Sequence, residues 1–117
     1  MIQLKSKREL EKMREAGRHV GEILQRLGEL AKPGVTTAEL DRVAHAEIRA
    51  RKLESSFLGY APGDNPPFPA VICASVNEEI VHGIPGGRRL VEGDLLKIDF
   101  GAICDGFHAD AAITVPI

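Results

Sequence analysis

The chain has 117 residues, the size of one domain, and its 44% apolar and 27% charged residues are the balance of a folded chain rather than a disordered one. A formal net charge of -2 excludes a general electrostatic pull toward nucleic acid or an anionic membrane. No apolar run approaches the ~20 residues that span a bilayer, and no basic-then-apolar leader opens the sequence, so a cytoplasmic protein is expected.

Ser6-Lys7-Arg8-Glu9 reads as a capping box, in which the serine hydroxyl and the glutamate each satisfy one free backbone donor at a helix start. A long helix follows. Leu10, Met13, Gly17, Val20, Leu24, Leu27 and Ala31 step by three and four and predict its buried stripe. Gly17 and Gly21 lower helix propensity, and close packing against a sheet is their expected use. Lys32-Pro33-Gly34 ends the helix. Thr36 and Glu39 form a second capping box. The helix behind it should run to about Arg51, with Leu40, Val43, Ala44 and Ile48 inward and His45 on the surface.

Leu53 to Pro69 reads as loop. Ala61 to Pro67, APGDNPP, fits neither a helix nor a central strand. Tyr60 and Phe68 bracket it, in a chain with one tyrosine and four phenylalanines. They either wall a pocket or fill the core beneath the loop, and the residues alone favour the core. Ala70 to Val76 reads as a strand, and His82 to Gly87 as a rigid loop. On its own, a histidine beside glycine reads as structural or solvated. Cys73 and Cys104 sit in apolar strand contexts and lack the spacing of a zinc site. They are expected as buried free thiols of a reducing compartment.

Asp94 to Val115, DLLKIDFGAICDGFHADAAITV, is the most informative stretch. Asp105-Gly106 between alternating runs signals a two-residue hairpin loop, because its turn needs positive φ twice. That loop sets the register: Cys104 opposite Phe107, Ile103 opposite His108, Ala102 opposite Ala109, Gly101 opposite Asp110. Side chains alternate with period two. One face then carries Ile98, Phe100, Ala102, Cys104, Phe107, Ala109, Ala111, Ile113 and Val115, and must be covered. The other carries Asp99 and Asp110 as diagonal neighbours, Cα atoms roughly 7–8 Å apart, with open space expected beside Gly101. Two readings stand. The pair is solvated on an open sheet face, or it holds one or two hard divalent ions. Two helices followed by at least three strands suggest an α+β fold, both helices on the apolar face of a small antiparallel sheet.

The segments KMREAGR, KPGVTTAELD, LGY, CASVNEEIVHGIP, GDLLKIDFGA and DGFHADAAITV together resemble the N-terminal half of type I methionine aminopeptidases, pita-bread metallopeptidases. The resemblance runs from Ser6 to Val115 and implies a single half-pita-bread domain over residues 1–117. It implies metal-dependent removal of methionine from polypeptide N-termini at a dinuclear site. It assigns Asp99 and Asp110 as metal ligands and His82 as a catalytic residue that contacts the substrate backbone. It places Phe57, Tyr60 and Phe68 in the methionine pocket. Phe57 stands where many members carry a smaller residue, and the Ala61–Pro67 stretch is longer than the common pattern and lacks its histidine.

The family's second half supplies a histidine, two glutamates and a further catalytic histidine, and this sequence contains none of them. The resemblance therefore implies a self-associating half-domain, a homodimer, with absent or very weak activity alone. A separately supplied C-terminal half is the other partner considered. The alternative function is a non-catalytic scaffold that dimerises and at most binds metal weakly. Cobalt, manganese, iron or zinc follow from the resemblance, while an oxygen-only site favours manganese or magnesium. No nucleic-acid or membrane partner is expected.

Overall fold

The structure, a computed structural model, describes residues 4–79 and 83–117. The chain runs α1 (Lys7–Leu30), α2 (Thr37–Ala50), β1 (Glu54–Ser55), β2 (Ile72–Val76), β3 (Leu95–Cys104) and β4 (Phe107–Pro116). Both helices open on their capping boxes. Ser6 Oγ accepts from Glu9 N at 3.1 Å, and Glu9 Oε1 accepts from Ser6 N at 3.0 Å. Thr36 and Glu39 repeat this, both contacts at 3.1 Å. Each box satisfies donors that a helix start leaves unpaired.

Asp105 and Gly106 adopt φ of 49° and 81°, the left-handed pair that a two-residue hairpin loop requires. The ladder runs from Cys104 opposite Phe107 to Leu95 opposite Pro116, with Gly101 opposite Asp110. β3 is the centre of the sheet. β4 lies along one side of it, β2 and β1 along the other, all antiparallel. β1 falls in a stretch whose sequence reads as loop, because two residues are too few to show an alternation. β2 begins two residues later than its apolar run suggests. Asp41 Oδ1, from α2, accepts from Val71 N at 2.9 Å and Ile72 N at 3.2 Å and so guides the chain into the sheet.

The helices pack on one face, α1 across β3 and β4, α2 against α1, β1 and β2. Val20, Ile23, Leu24, Leu27, Leu40, Ile72, Leu96, Ile98 and Phe100 are fully buried between them. Burial of each such side chain stabilises the fold by roughly 1.5–3 kcal/mol. Val20, Leu24, Leu27 and Ala31 of the stripe expected on α1 are buried, and its N-terminal members are not. Ala16 and Ile23 are buried, whereas Leu10 and Met13 are 41% and 39% exposed. Gly17 and Gly21 are also exposed, and a methyl group at either would meet nothing within 4 Å. The close approach occurs instead at Gly28, where a methyl group would lie 3.1 Å from Ile113 Cδ1. Cover of the apolar sheet face is also incomplete. β4 is the outermost strand, its Phe107, Ala109, Ile113 and Val115 are half-buried, and Ala111 is exposed.

Candidate active site

The face turned away from the helices carries Asp99 on β3 and Asp110 on β4, opposite Ala112 and Gly101 respectively. Cys73 of β2 pairs with Asp99 from the other side. One cavity of ≈ 260 Å³ is lined by Ser56, Phe57, Tyr60, Phe68, Cys73, Asp99 and Asp110. The structure thus brings together five of the six residues singled out from the sequence. The sixth, His82, lies outside the described residues. Its neighbour Gly83 is held on β2, donating to Ser75 Oγ at 3.0 Å and accepting from Ala74 N at 2.8 Å. A side chain at Gly83 would run into the Ala74 carbonyl.

The aromatics line this cavity instead of filling the core. Tyr60 is 64% exposed, and the Phe57 and Phe68 rings meet edge-on with centroids 6.4 Å apart. Gly59 N donates to Phe68 O and Phe68 N to Tyr60 O, both at 2.8 Å. These two bonds close the loop at its base and hold its aromatics beside the sheet. The space beside Gly101 is not open either. A methyl group there would lie 3.1 Å from Phe57 Cε1 and 3.2 Å from Ser56 Cβ. Glycine is needed at this position because a neighbouring segment packs directly on the strand. Ser56 and Cys73 are the lining residues that sequence reasoning missed. Only the register of β1 and β2 on β3 reveals them.

The electrostatics match the geometry. The Asp110 carboxyl is pushed up to about 6 by burial, by its hydrogen bond with the Asp99 side chain and by the charge of Asp99. The Cys73 thiol is pushed up to about 11, by burial first and then by the charges of Asp99 and Asp110. Asp99 Oδ1 and Ser56 Oγ are buried without a hydrogen-bond partner. An unpartnered buried acceptor carries an uncompensated desolvation cost. A hard divalent cation meets that need through carboxylate oxygens. Asp99 and Asp110 fit such an ion.

Glu15, His19 and Cys104 also converge, with one potential ligand atom from each lying within 4.8 Å of the others. Arg51 Nη1, however, sits 3.0 Å from His19 Nδ1. A guanidinium only donates, so Nδ1 is the acceptor and the ring proton of neutral His19 sits on Nε2. The nitrogen nearer Glu15 therefore has no free lone pair, and the cluster reads as part of the ion-pair network that joins α1 to α2 through Arg51, Glu22 and Glu47.

Two helices on one face of this sheet, with an acid pair on the other, define the N-terminal half of a pita-bread metallopeptidase. The chain belongs to metallopeptidase family M24, which it matches over residues 11–117. It is 49% identical over 118 residues to a methionine aminopeptidase of Clostridium acetobutylicum, covering 100% of this chain and 45% of that protein. A methionine aminopeptidase of Aquifex aeolicus is 46% identical over 116 residues, with 97% of this chain and 45% of that protein covered. The crystal structure of methionine aminopeptidase from Rickettsia prowazekii superposes with a TM-score of 0.90 at 34% identity, over 99% of this chain and 45% of that one. The chain spans about half the length of the curated relatives it matches. Escherichia coli aminopeptidase P shares the fold, with a TM-score of 0.74 at 24% identity, over 96% of this chain and 23% of that one. Among the described residues no helix is long and apolar enough to cross a membrane.

Proposed function

We propose that residues 1–117 act as one half-domain of a metal-dependent aminopeptidase that takes peptides beginning with methionine. The observation that carries this reading is the shared cavity: Asp99 and Asp110 on one wall, Phe57, Tyr60 and Phe68 on the others. The apolar wall suits an unbranched thioether side chain, and the acids suit a divalent cation near the peptide amine. Such a cation, when bound, polarises the scissile carbonyl and activates water. Asp99 and Asp110 hold it. Manganese or magnesium suits an oxygen-only donor set, and cobalt, iron or zinc suits the set completed by a second half. His82 is proposed to contact the substrate backbone. Two buried free thiols favour the cytoplasm as the compartment.

Activity of this chain alone is expected to be absent or very weak. The test is methionine release from a Met-Ala-Ser peptide with added cobalt or manganese, with and without a separately supplied C-terminal half. Wild type should gain activity on mixing and Asp110→Asn should not. Equal rates for both remove the acid pair from the chemistry.

A second reading, a homodimer, is favoured by the outer edge of β4. Among the described residues this ten-residue strand pairs only with β3. Unpaired edges recruit strands, and a two-fold axis would join two copies through them. Light scattering that returns a clean monomer at micromolar concentration rules the dimer out.

A further inference from the structure

Two buried side-chain oxygens in the acid-lined cavity find no hydrogen-bond partner among the described residues, Asp99 Oδ1 and Ser56 Oγ. A divalent cation answers the first. The second is a hydroxyl, and the acid pair alone does not account for it. A buried hydroxyl without a partner costs stability, so Ser56 calls for a ligand. The sheet register shows what it can reach. Ser55 pairs with Ala102, and Ser56 N donates to Gly101 O at 3.2 Å, so Ser56 continues the ladder opposite Gly101. Asp110 stands opposite the same glycine on the other side. Ser56, Gly101 and Asp110 thus form one row across the sheet, and Cys73, Asp99 and Ala112 form the next. Asp99 is the diagonal neighbour of both Asp110 and Ser56, with Cα separations of roughly 7–8 Å. The Ser56 side chain leans over the glycine: its Cβ and Oγ lie 3.2 and 3.3 Å from where a Gly101 Cβ would stand. Three oxygen-bearing side chains therefore surround the bare Gly101 backbone at the floor of one cavity.

We propose that Ser56 is a positioning residue for the cation, accepting a hydrogen bond from a water that the ion keeps; this rests on the reading of Asp99 and Asp110 as the ion's ligands. A small hard ion held by one or two carboxylates retains several waters, and the protons of those waters need acceptors. The carboxylates give oxygens to the ion itself. Ser56 Oγ is a neutral oxygen on the same floor, close enough to the acids to meet a water but one residue removed from both. Cys73, its neighbour along that edge of β3, offers only a weak sulfur acceptor. The depth of Ser56 Oγ also matters. It is shut in against Gly101 and Phe57, so a small group beside the acids reaches it more readily than a peptide entering from the mouth.

Manganese is titrated calorimetrically into wild type, Ser56→Ala and Ser56→Cys, and the melting temperature of each is taken without metal. Ser56→Ala should bind manganese about tenfold more weakly, as loss of a group that orients a metal's ligands does. Freed of an unpartnered hydroxyl, it should melt without metal no lower than wild type. Ser56→Cys keeps nearly the size of serine without a good acceptor and should lose affinity alike. The paramagnetic resonance spectrum of bound manganese should change in both variants. Manganese affinity within about twofold of wild type in both variants overturns the role of Ser56 and leaves the acid pair standing. A loss confined to methioninamide affinity does the same and makes the hydroxyl a contact of the peptide. Weaker manganese binding together with a lower metal-free melting temperature also overturns it and assigns the serine to packing. Wild type that takes up no manganese overturns the acid pair as a cation site as well.

Discussion

Gly101 faces Asp110 across the β3–β4 ladder, and the place of its missing side chain is filled by Ser56 and Phe57. The chain after β1 is thereby pressed onto the sheet at the point where the acid of β4 enters the cavity. Replacing Gly101 with alanine puts a methyl group 3.1 Å from Phe57 Cε1 and 3.3 Å from Ser56 Oγ. Both neighbours must retreat. Gly101→Ala should cost about 1–2 kcal/mol, as overpacking of a closed site does, and should weaken methioninamide binding by moving Phe57. Urea unfolding and ligand titration on the same variant check both effects.

Asp110 sets a pH dependence with a definite sign. Its carboxyl is raised from the ordinary 3.8 to about 6, so the folded chain binds this proton more tightly than the unfolded chain. Its contribution to stability is therefore fully present below about pH 4 and is lost as pH rises through about 6. Asp110→Asn lacks that loss. Melting temperatures measured without metal from pH 4 to pH 8 should show the variant gaining on wild type across this window, then holding a constant lead. Parallel curves would show that the two acids do not share a proton.

Metal binding should run in the opposite direction. A cation needs Asp110 ionised, so manganese affinity should rise with pH and level off above about 6. At pH 7.5, saturating manganese at 100 times its dissociation constant should stabilise wild type by about 2.7 kcal/mol. Asp99→Asn and Asp110→Asn should each remove most of that gain. Asp99→Asn should also lower the pH at which Asp110 ionises, because the neighbouring charge is gone. Calorimetric titration with manganese at pH 5 and pH 7.5 separates these outcomes.

The hairpin was legible because local chemistry alone dictates it. Asp105-Gly106 fixes the turn, the turn fixes the register, and the register puts Asp99 and Asp110 on one face. The capping boxes at Ser6 and Thr36 were legible for the same reason. What escaped depends on distant partners. Ser56 and Cys73 reach the cavity only through pairing with β3, and a two-residue β1 leaves no periodic trace. Tyr60 and Phe68 have a composition that suits a core as well as a pocket. Their place at the cavity wall follows from the backbone pairing at the loop base, which no side-chain pattern encodes. The glycines of α1 misled for a related reason, since glycine takes part in a helical stripe without showing which way it faces.

Those glycines give a clean test of the packing. Gly17 and Gly21 are helical, exposed and free of neighbours within 4 Å of an added methyl group. Alanine there removes unfolded-state freedom and meets no obstacle, so each single change should stabilise the chain by about 0.5–1 kcal/mol. Gly28 differs. Its added methyl group meets Ile113 Cδ1 at 3.1 Å and Val115 Cγ2 at 3.6 Å. Both side chains belong to the outer strand and are only half-buried, so Ile113 can yield, at the expense of its contact with α1. Gly28→Ala should therefore fall short of the other two by roughly the cost of a mild overpacking, about 1 kcal/mol. Urea midpoints for the three variants rank them. An equal gain at all three positions would mean that α1 does not approach β4 as closely as Gly28 allows.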